Sequence, residues 1–144
     1  MDTFPSLLGT TLSGRAFRIP EELPSTPVAL IFGFEHEARH DVRAWKDFFT
    51  LQGLNFLSVP TTPIYIPAQA LSETARAMKA HVPHTEWETI VQVHKGGAEL
   101  LSFFKWTPDN HAKVVLMAGG KVLASHGSGP FTEAAAETFR VIAI

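Results

Sequence analysis

Histidine and glutamate side chains stand close together just after the longest apolar run of this chain. His36, Glu37 and His40 match the pattern H-E-x-x-H. On a helix, histidines at this spacing lie on one face and can bind a zinc ion, while the glutamate acts as a general base. Glu73 is the obvious downstream candidate for a third ligand. The pattern therefore raises the hypothesis of a metal-dependent hydrolase.

The surroundings of the motif favour a different interpretation. Zinc proteases with the longer form of this motif have Gly and His where this chain has Arg43 and Lys46. The motif is also charged and follows directly on an apolar segment. Glu35, Glu37 and Asp41 suit the positive end of a helix dipole. We therefore expect a solvated helix start with no bound metal and no cofactor, and we keep the hydrolase as the alternative.

Length and composition limit the class of protein. The chain has 144 residues, of which 45% are hydrophobic, and this predicts one globular domain over 1–144. It contains no cysteine, which excludes disulfides, thiolate nucleophiles and cysteine-bound metal centres. The formal net charge is −2 and the basic residues are scattered, so nothing indicates nucleic-acid binding.

The hydropathy of the chain and its first three residues indicate where in the cell the protein is located. The longest apolar run covers only residues 28–34, whereas a membrane-spanning helix needs about 20 apolar residues. The opening Met1-Asp2-Thr3 lacks the basic and apolar regions of a signal peptide. We therefore expect a soluble cytoplasmic protein without a membrane span.

Apolar periodicity divides the chain into short strands and helices. It predicts two strands around Ser13-Gly14 within 7–20, and further strands at 28–34, 54–59, 89–93, 113–117 and 121–126. Helical spacing predicts helices at about 37–51, 68–81, 98–106 and 132–142. The first helix has its apolar residues at Val42, Trp45, Phe48, Phe49 and Leu51.

Two segments leave alternatives open. Within 85–96, Thr85 and Glu88 have capping-box spacing, which favours a helix, whereas the β-branched residues 89–93 favour a strand. We prefer the strand. The proline-rich segment 60–67 is either a connector over the core or an exposed docking loop, and we prefer the connector.

The order of these elements predicts an α/β fold. Strand–helix–strand units followed by a hairpin and a final helix give a mixed central sheet with helices on both faces, after an N-terminal β-hairpin. Segment 28–34 is apolar on both faces and is expected at the centre of that sheet. Ligands of open α/β sheets bind at the carboxyl ends of the strands. The expected binding surface is therefore formed by Glu35, His36, Arg39 and His40.

Several short motifs resemble the thioredoxin-like superfamily. The pattern Pro5-x-x-x-Gly9 and the Leu12-Ser13-Gly14 that follows it resemble the opening of its peroxiredoxin and thiol-reductase branch. The hairpin 113–126 with Gly127-Ser128-Gly129 after it is similar to the closing strands of that branch. Val42, Trp45 and Phe49 or Phe48 are similar to a pattern of the mitochondrial ATP synthase assembly factor family with a thioredoxin-like domain.

The chain departs from this superfamily at both hallmarks of the redox site. The resemblance implies a reactive cysteine in the turn at 35–40 and a cis-proline near His111 or Ala112, and neither is present. We therefore expect no thiol enzyme but a non-redox module that binds another protein or assists assembly. A plain structural or dimerisation domain and the metal-dependent hydrolase are the alternatives, and the sequence leaves the oligomeric state open.

Overall fold

The structure, a computed structural model, describes residues 4–62 and 68–142. Two 3₁₀ segments, His36–Ala38 and His84–Thr89, accompany the regular elements. The strands are β1 (Leu7–Thr11), β2 (Ala16–Ile19), β3 (Val28–Gly33), β4 (Asn55–Pro60), β5 (Val91–Lys95), β6 (Lys113–Ala118) and β7 (Lys121–His126). The helices are α1 (Arg39–Leu51), α2 (Ala68–Lys79), α3 (Gly97–Phe104) and α4 (Glu133–Ile142).

The strands form two sheets that adjoin each other. One sheet has the order β4-β3-β6-β7, and the other has the order β2-β1-β5. Isolated parallel bridges, Ser58 to Ile90 and Thr61 to Val93, connect β4 with β5 across the gap. β3 runs parallel to β4 and antiparallel to β6, and β1 and β2 form an antiparallel hairpin. The predicted α/β architecture with a mixed sheet and an N-terminal hairpin is confirmed.

β3 lies inside its sheet because both of its faces are apolar. Leu30 and Phe32 belong to one buried cluster, which includes Leu100 of α3. Ala29 and Ile31 belong to a second cluster on the opposite face. That second cluster is completed by buried side chains of α1 and α4, namely Trp45, Phe48, Phe49, Ala136 and Phe139. Helices therefore cover both faces of β3, as its composition predicts.

The structure corrects the apolar stripe of the first helix. Leu51 is 85% exposed, although it was expected on the buried face. Leu51 is the last residue of α1, and its spacings of two residues from Phe49 and six from Trp45 place it away from these fully buried rings. Gln52 caps the helix and Gly53 takes a positive φ of 69° just beyond it, so the predicted stop at Gly53 is confirmed.

The two ambiguous segments have separate outcomes. The segment 85–96 contains both kinds of structure, because a 3₁₀ segment over His84–Thr89 is followed by β5. The strand preferred for 89–93 is present but begins two residues later, at Val91. In the proline-rich segment, Pro60 ends β4, and residues 63–67 lie outside the described part of the chain.

Candidate functional site

Three segments meet at the edge of the sheet where β3 ends. Phe32 near the end of β3 pairs with Lys113 at the start of β6. Val114 pairs in turn with His126 at the end of β7. The turn after β3, the loop 107–112 and the loop 127–132 therefore lie side by side at this edge.

The residues predicted to form a binding surface lie on the turn and on the first helical turn of α1. Glu35, Glu37, Arg39 and His40 are exposed, while Ala38 between them is buried and anchors the segment. The backbone of His36 begins a 3₁₀ segment, and its side chain is not among those that the structure describes. The local sequence thus presents both acidic and basic groups to solvent.

The geometry offers no support for a zinc hydrolase. The H-E-x-x-H motif crosses the junction between the 3₁₀ segment and α1, which begins only at Arg39. Its histidines are therefore not both part of the regular α-helix on which zinc-binding spacing depends. Among the residues with described side chains, Glu73 included, no three His, Cys, Asp or Glu could hold a metal ion together.

Asp41 has a role that the sequence did not reveal. It was expected only to suit the helix dipole. Its carboxylate instead accepts hydrogen bonds from the N–H of Ala112 at 2.7 Å and from the N–H of Phe131 at 2.6 Å. The first bond comes from Ala112, one of the two positions where the resemblance to the superfamily implies a cis-proline. A proline there could not donate this bond, because it has no backbone N–H. No local pattern signals these contacts, because the partners lie 71 and 90 residues away.

Lys113 is a second charged residue at this edge, and its side chain is only 1% exposed. Its Nζ donates to Asp109 Oδ1 at 2.9 Å and to the carbonyl oxygen of Gly127 at 2.9 Å. A buried ammonium group requires such partners, because burial without them is costly. The lysine therefore connects the loop before β6 with the loop after β7.

Asp109, the ion-pair partner of Lys113, has an altered acidity. Partial burial acts to raise the pKa of its carboxyl group. The hydrogen bonds from Lys113 and from the His111 N–H, with the positive charge of Lys113, outweigh this effect. The pKa of Asp109 consequently lies below its ordinary value of 3.8.

Aromatic rings support the same loops from both faces of the sheet. Trp45 of α1 lies edge-on to Phe131 with ring centroids 4.9 Å apart, and against His126 at 5.4 Å. On the other face, Trp106 packs against Phe32 at 6.1 Å. A Cβ atom at Gly127 would overlap the indole of Trp106, so only glycine fits there without a shift. All three tryptophans are buried or half-buried, as large aromatic residues usually are.

Comparison with known proteins yields matches only among solved structures. No model of a known protein family matches the chain, and no curated protein sequence is similar to it. The exposed lipoprotein thioredoxin Etrx1 of Streptococcus pneumoniae has a TM-score of 0.60 at 12% identity, covering 94% of this chain and 98% of that chain. A thio-disulfide isomerase of Thermus thermophilus has a TM-score of 0.62 at 14% identity, covering 99% and 94%.

A further similar structure belongs to a protein described as an assembly factor. BsSco, a member of the Sco family of cytochrome c oxidase assembly proteins, has a TM-score of 0.58 at 12% identity. The match covers 86% of this chain and 82% of that chain. The similarity to the ATP synthase assembly factor family stays a prediction, because a shared fold does not separate the branches of a superfamily. This chain has a thioredoxin-like fold, built on a sequence without cysteine.

Proposed function

We propose that this chain is a non-redox module that binds another protein or assists its assembly, and that it does so at the turn after β3. The main support is the exposure of Glu35, Arg39 and His40 at the carboxyl end of an interior strand. That edge is where open α/β sheets bind their ligands. The exposed polar side chains there can form hydrogen bonds and charge pairs with a partner.

The charges of the turn favour a protein partner. Glu35 and Glu37 alternate with Arg39 along one short exposed segment. Such a mixture complements a protein surface that carries both signs of charge. A nucleic-acid partner would require a basic patch, whereas the chain as a whole has a net charge of −2. The assembly role of BsSco is a precedent on the same fold.

Photocrosslinking in the living host tests this proposal. A benzophenone amino acid is placed in turn at Glu35, Arg39 and His40 of the full chain. We expect each position to give a covalent adduct with the same partner, seen as one discrete mass. Asp47, also exposed on α1 but more than one turn further on, is the matched control and should give no such adduct.

The outcomes of this experiment separate the alternatives. Equal adducts from Asp47, or none from the three test positions, contradict the proposal. An adduct whose mass is twice that of the chain identifies a dimerisation domain instead. Glu35→Lys should reduce the adduct formed from Arg39 without lowering the thermal unfolding midpoint, because Glu35 is exposed and does not contribute to the core.

The proposed module acts in the cytoplasm. Among the helices of the described residues, none is long and apolar enough to cross a membrane. Fractionation of the host cells with an antibody against the chain tests the location. Recovery of the chain with the membrane or outside the cell contradicts it, and Etrx1, an exposed lipoprotein, is a precedent for that outcome.

A further inference from the structure

Two loops flank the hairpin β6–β7, and two side chains of opposite charge make partly buried contacts with both of them. The loop 107–112 precedes β6, and the loop 127–132 follows β7. Asp41 accepts an N–H from each loop, at Ala112 and at Phe131. Lys113 donates to one acceptor in each loop, Asp109 and Gly127. Each charged side chain thus connects the same two loops.

The two contacts approach from opposite sides of the sheet. Asp41 belongs to α1, whose aromatic residues pack on the face of β3 that contains Ile31. Lys113 pairs with Phe32 in the sheet, and Phe32 belongs to the cluster on the other face. Asp41 therefore holds the two loops from one face of the sheet, and Lys113 holds them from the other face. Neither loop can move away without breaking hydrogen bonds to both charged groups.

We infer that the binding surface extends from the turn after β3 onto these two loops, and that Asp41 and Lys113 fix both loops as one preformed unit. This inference rests on the proposed function for its ligand. Asn110 and Ser128 are exposed on the two loops. They belong to the extended surface, together with Glu35 and Arg39 of the turn. Asp41 and Lys113 are positioning residues, because they orient the loops rather than contact the partner.

A preformed surface determines the kind of partner that fits. Loops that are already ordered lose little conformational entropy on binding, so rigid docking is favoured. Apart from Pro130, the exposed residues of the two loops are polar, and those of the turn carry charges of both signs. The surface accordingly fits a folded protein with a polar face of mixed charge, rather than a disordered apolar segment.

Coupling between the two contacts is the specific consequence that an experiment can detect. Lys113 makes no hydrogen bond to the N–H of Ala112 or of Phe131, which both donate to Asp41. If the loops move as one unit, Lys113→Met nevertheless raises the hydrogen-exchange rates of these two amides. We expect a rise of about tenfold or more from local opening. The exchange rate of the Ile31 amide, in the interior of the sheet, should stay unchanged.

Controls make the exchange experiment decisive for the full chain. Lys46→Met removes a different lysine ion pair, the one between Lys46 of α1 and Glu86 of the second 3₁₀ segment. It should leave the exchange rates of the two loop amides unchanged. If Lys113→Met fails to fold, Asp109→Ala removes the acceptor of the same contact from its more exposed partner. Unchanged exchange at Ala112 and Phe131 overturns the inference. An equal rise at Ile31 overturns it too, since that is a general loss of stability.

Crosslinking from the loops separates this inference from the proposed function. Benzophenone at Asn110 and at Ser128 should give the same adduct as at Glu35, and Lys113→Met should lower its yield severalfold. Adducts from Glu35 without any from the two loops contradict the extended surface alone. Coupled exchange without any adduct contradicts the proposed function, while the preformed unit remains.

Discussion

Single residues at the edge where β3 ends divide into two groups. Glu35, Arg39 and His40 are exposed to solvent. Asp41 and Lys113 are directed inward and hold backbone groups of the neighbouring loops. Charged side chains only a few residues or one strand apart are therefore exposed in one case and hold backbone groups of the loops in the other. The difference lies in whether backbone partners come within hydrogen-bond distance.

Asp109 should make the free energy of unfolding depend on pH in acid. In the folded protein the pKa of Asp109 lies below 3.8. Its carboxylate therefore adds to the free energy of unfolding above that pH, and this addition is lost as the pH falls through the folded pKa. Urea unfolding between about pH 5 and about pH 3 should show a steeper loss for the natural chain than for Asp109→Asn. The side chain of Asp109 is 42% exposed, so the difference is modest. Parallel curves for the two proteins contradict this prediction.

Gly127→Ala should destabilise the fold because the added methyl group meets Trp106. That indole cannot easily move aside, since it stacks on Phe104 at 4.3 Å and packs against Phe32. Overpacking of this kind costs about 1 to 3 kcal/mol of unfolding free energy. Gly33→Ala is the matched control, because its Cβ would meet Val42 at an ordinary 3.5 Å. Equal urea midpoints for the two variants run against the prediction.

His36→Ala and His40→Ala should leave stability and metal content unchanged. His40 is exposed, and surface substitutions usually change the unfolding free energy by less than about 0.5 kcal/mol. Thermal unfolding of the single and double variants measures the first expectation. Elemental analysis of the purified natural chain and the double variant measures the second. Stoichiometric zinc in the natural chain that disappears in the double variant makes the metal site the better interpretation.

At the scale of elements, β3 organises the molecule. Its neighbours β4 and β6 run in opposite directions, and its side chains alternate between two buried clusters. The turn that follows β3 consequently begins at a strand that is paired on both sides. Loops before β6 and after β7 reach the same edge because those strands are antiparallel partners.

Ile31→Asp should unfold the domain. Ile31 is 0% exposed in the interior strand, and a carboxylate there has no cation to pair with among the described members of its cluster. The cost is about 4 kcal/mol or more, a large part of the roughly 5 to 15 kcal/mol that stabilises a domain. Leu51→Asp applies the same chemical change at an 85% exposed position and should be tolerated. Circular dichroism and urea unfolding of both variants check this, and a folded Ile31→Asp protein contradicts the assigned core.

At the scale of the whole molecule, a fold shared with thiol-disulfide proteins is stabilised without any sulfur chemistry. The chain has no cysteine, and two apolar clusters on the two faces of the sheet supply its core. A chain of this length buries roughly 70% of its unfolded surface, which is enough without disulfide bonds. The fold therefore persists where the redox centre has no counterpart.

The full chain should show no thiol-dependent disulfide reductase or peroxidase activity. Thiol exchange requires a thiolate, and the sequence has no residue that forms one. Insulin reduction measured with purified protein should equal the rate with buffer alone. The urea midpoint should likewise be the same with and without dithiothreitol. Catalytic turnover that stays with the protein through successive purification steps contradicts the prediction.

The sequence by itself determined the elements, the central strand and the exclusion of thiol chemistry. Seven consecutive apolar residues at 28–34 can be buried only on both faces, which requires an interior strand with helices above and below. The carboxyl end of that strand followed directly as the candidate surface. These conclusions depend on local composition and periodicity, which can be read along the chain without knowledge of its path in space.

Only the tertiary structure decided how that surface is held together. Lys113 opens an apolar strand and has no sequence feature that distinguishes it from a solvated lysine, yet the fold buries it against Asp109 and Gly127. Asp41 meets partners that are 71 and 90 residues distant along the chain. Strand register and topology bring such groups together. Periodicity in the sequence indicates which face of an element is apolar, but it does not indicate which distant backbone atoms lie next to that element.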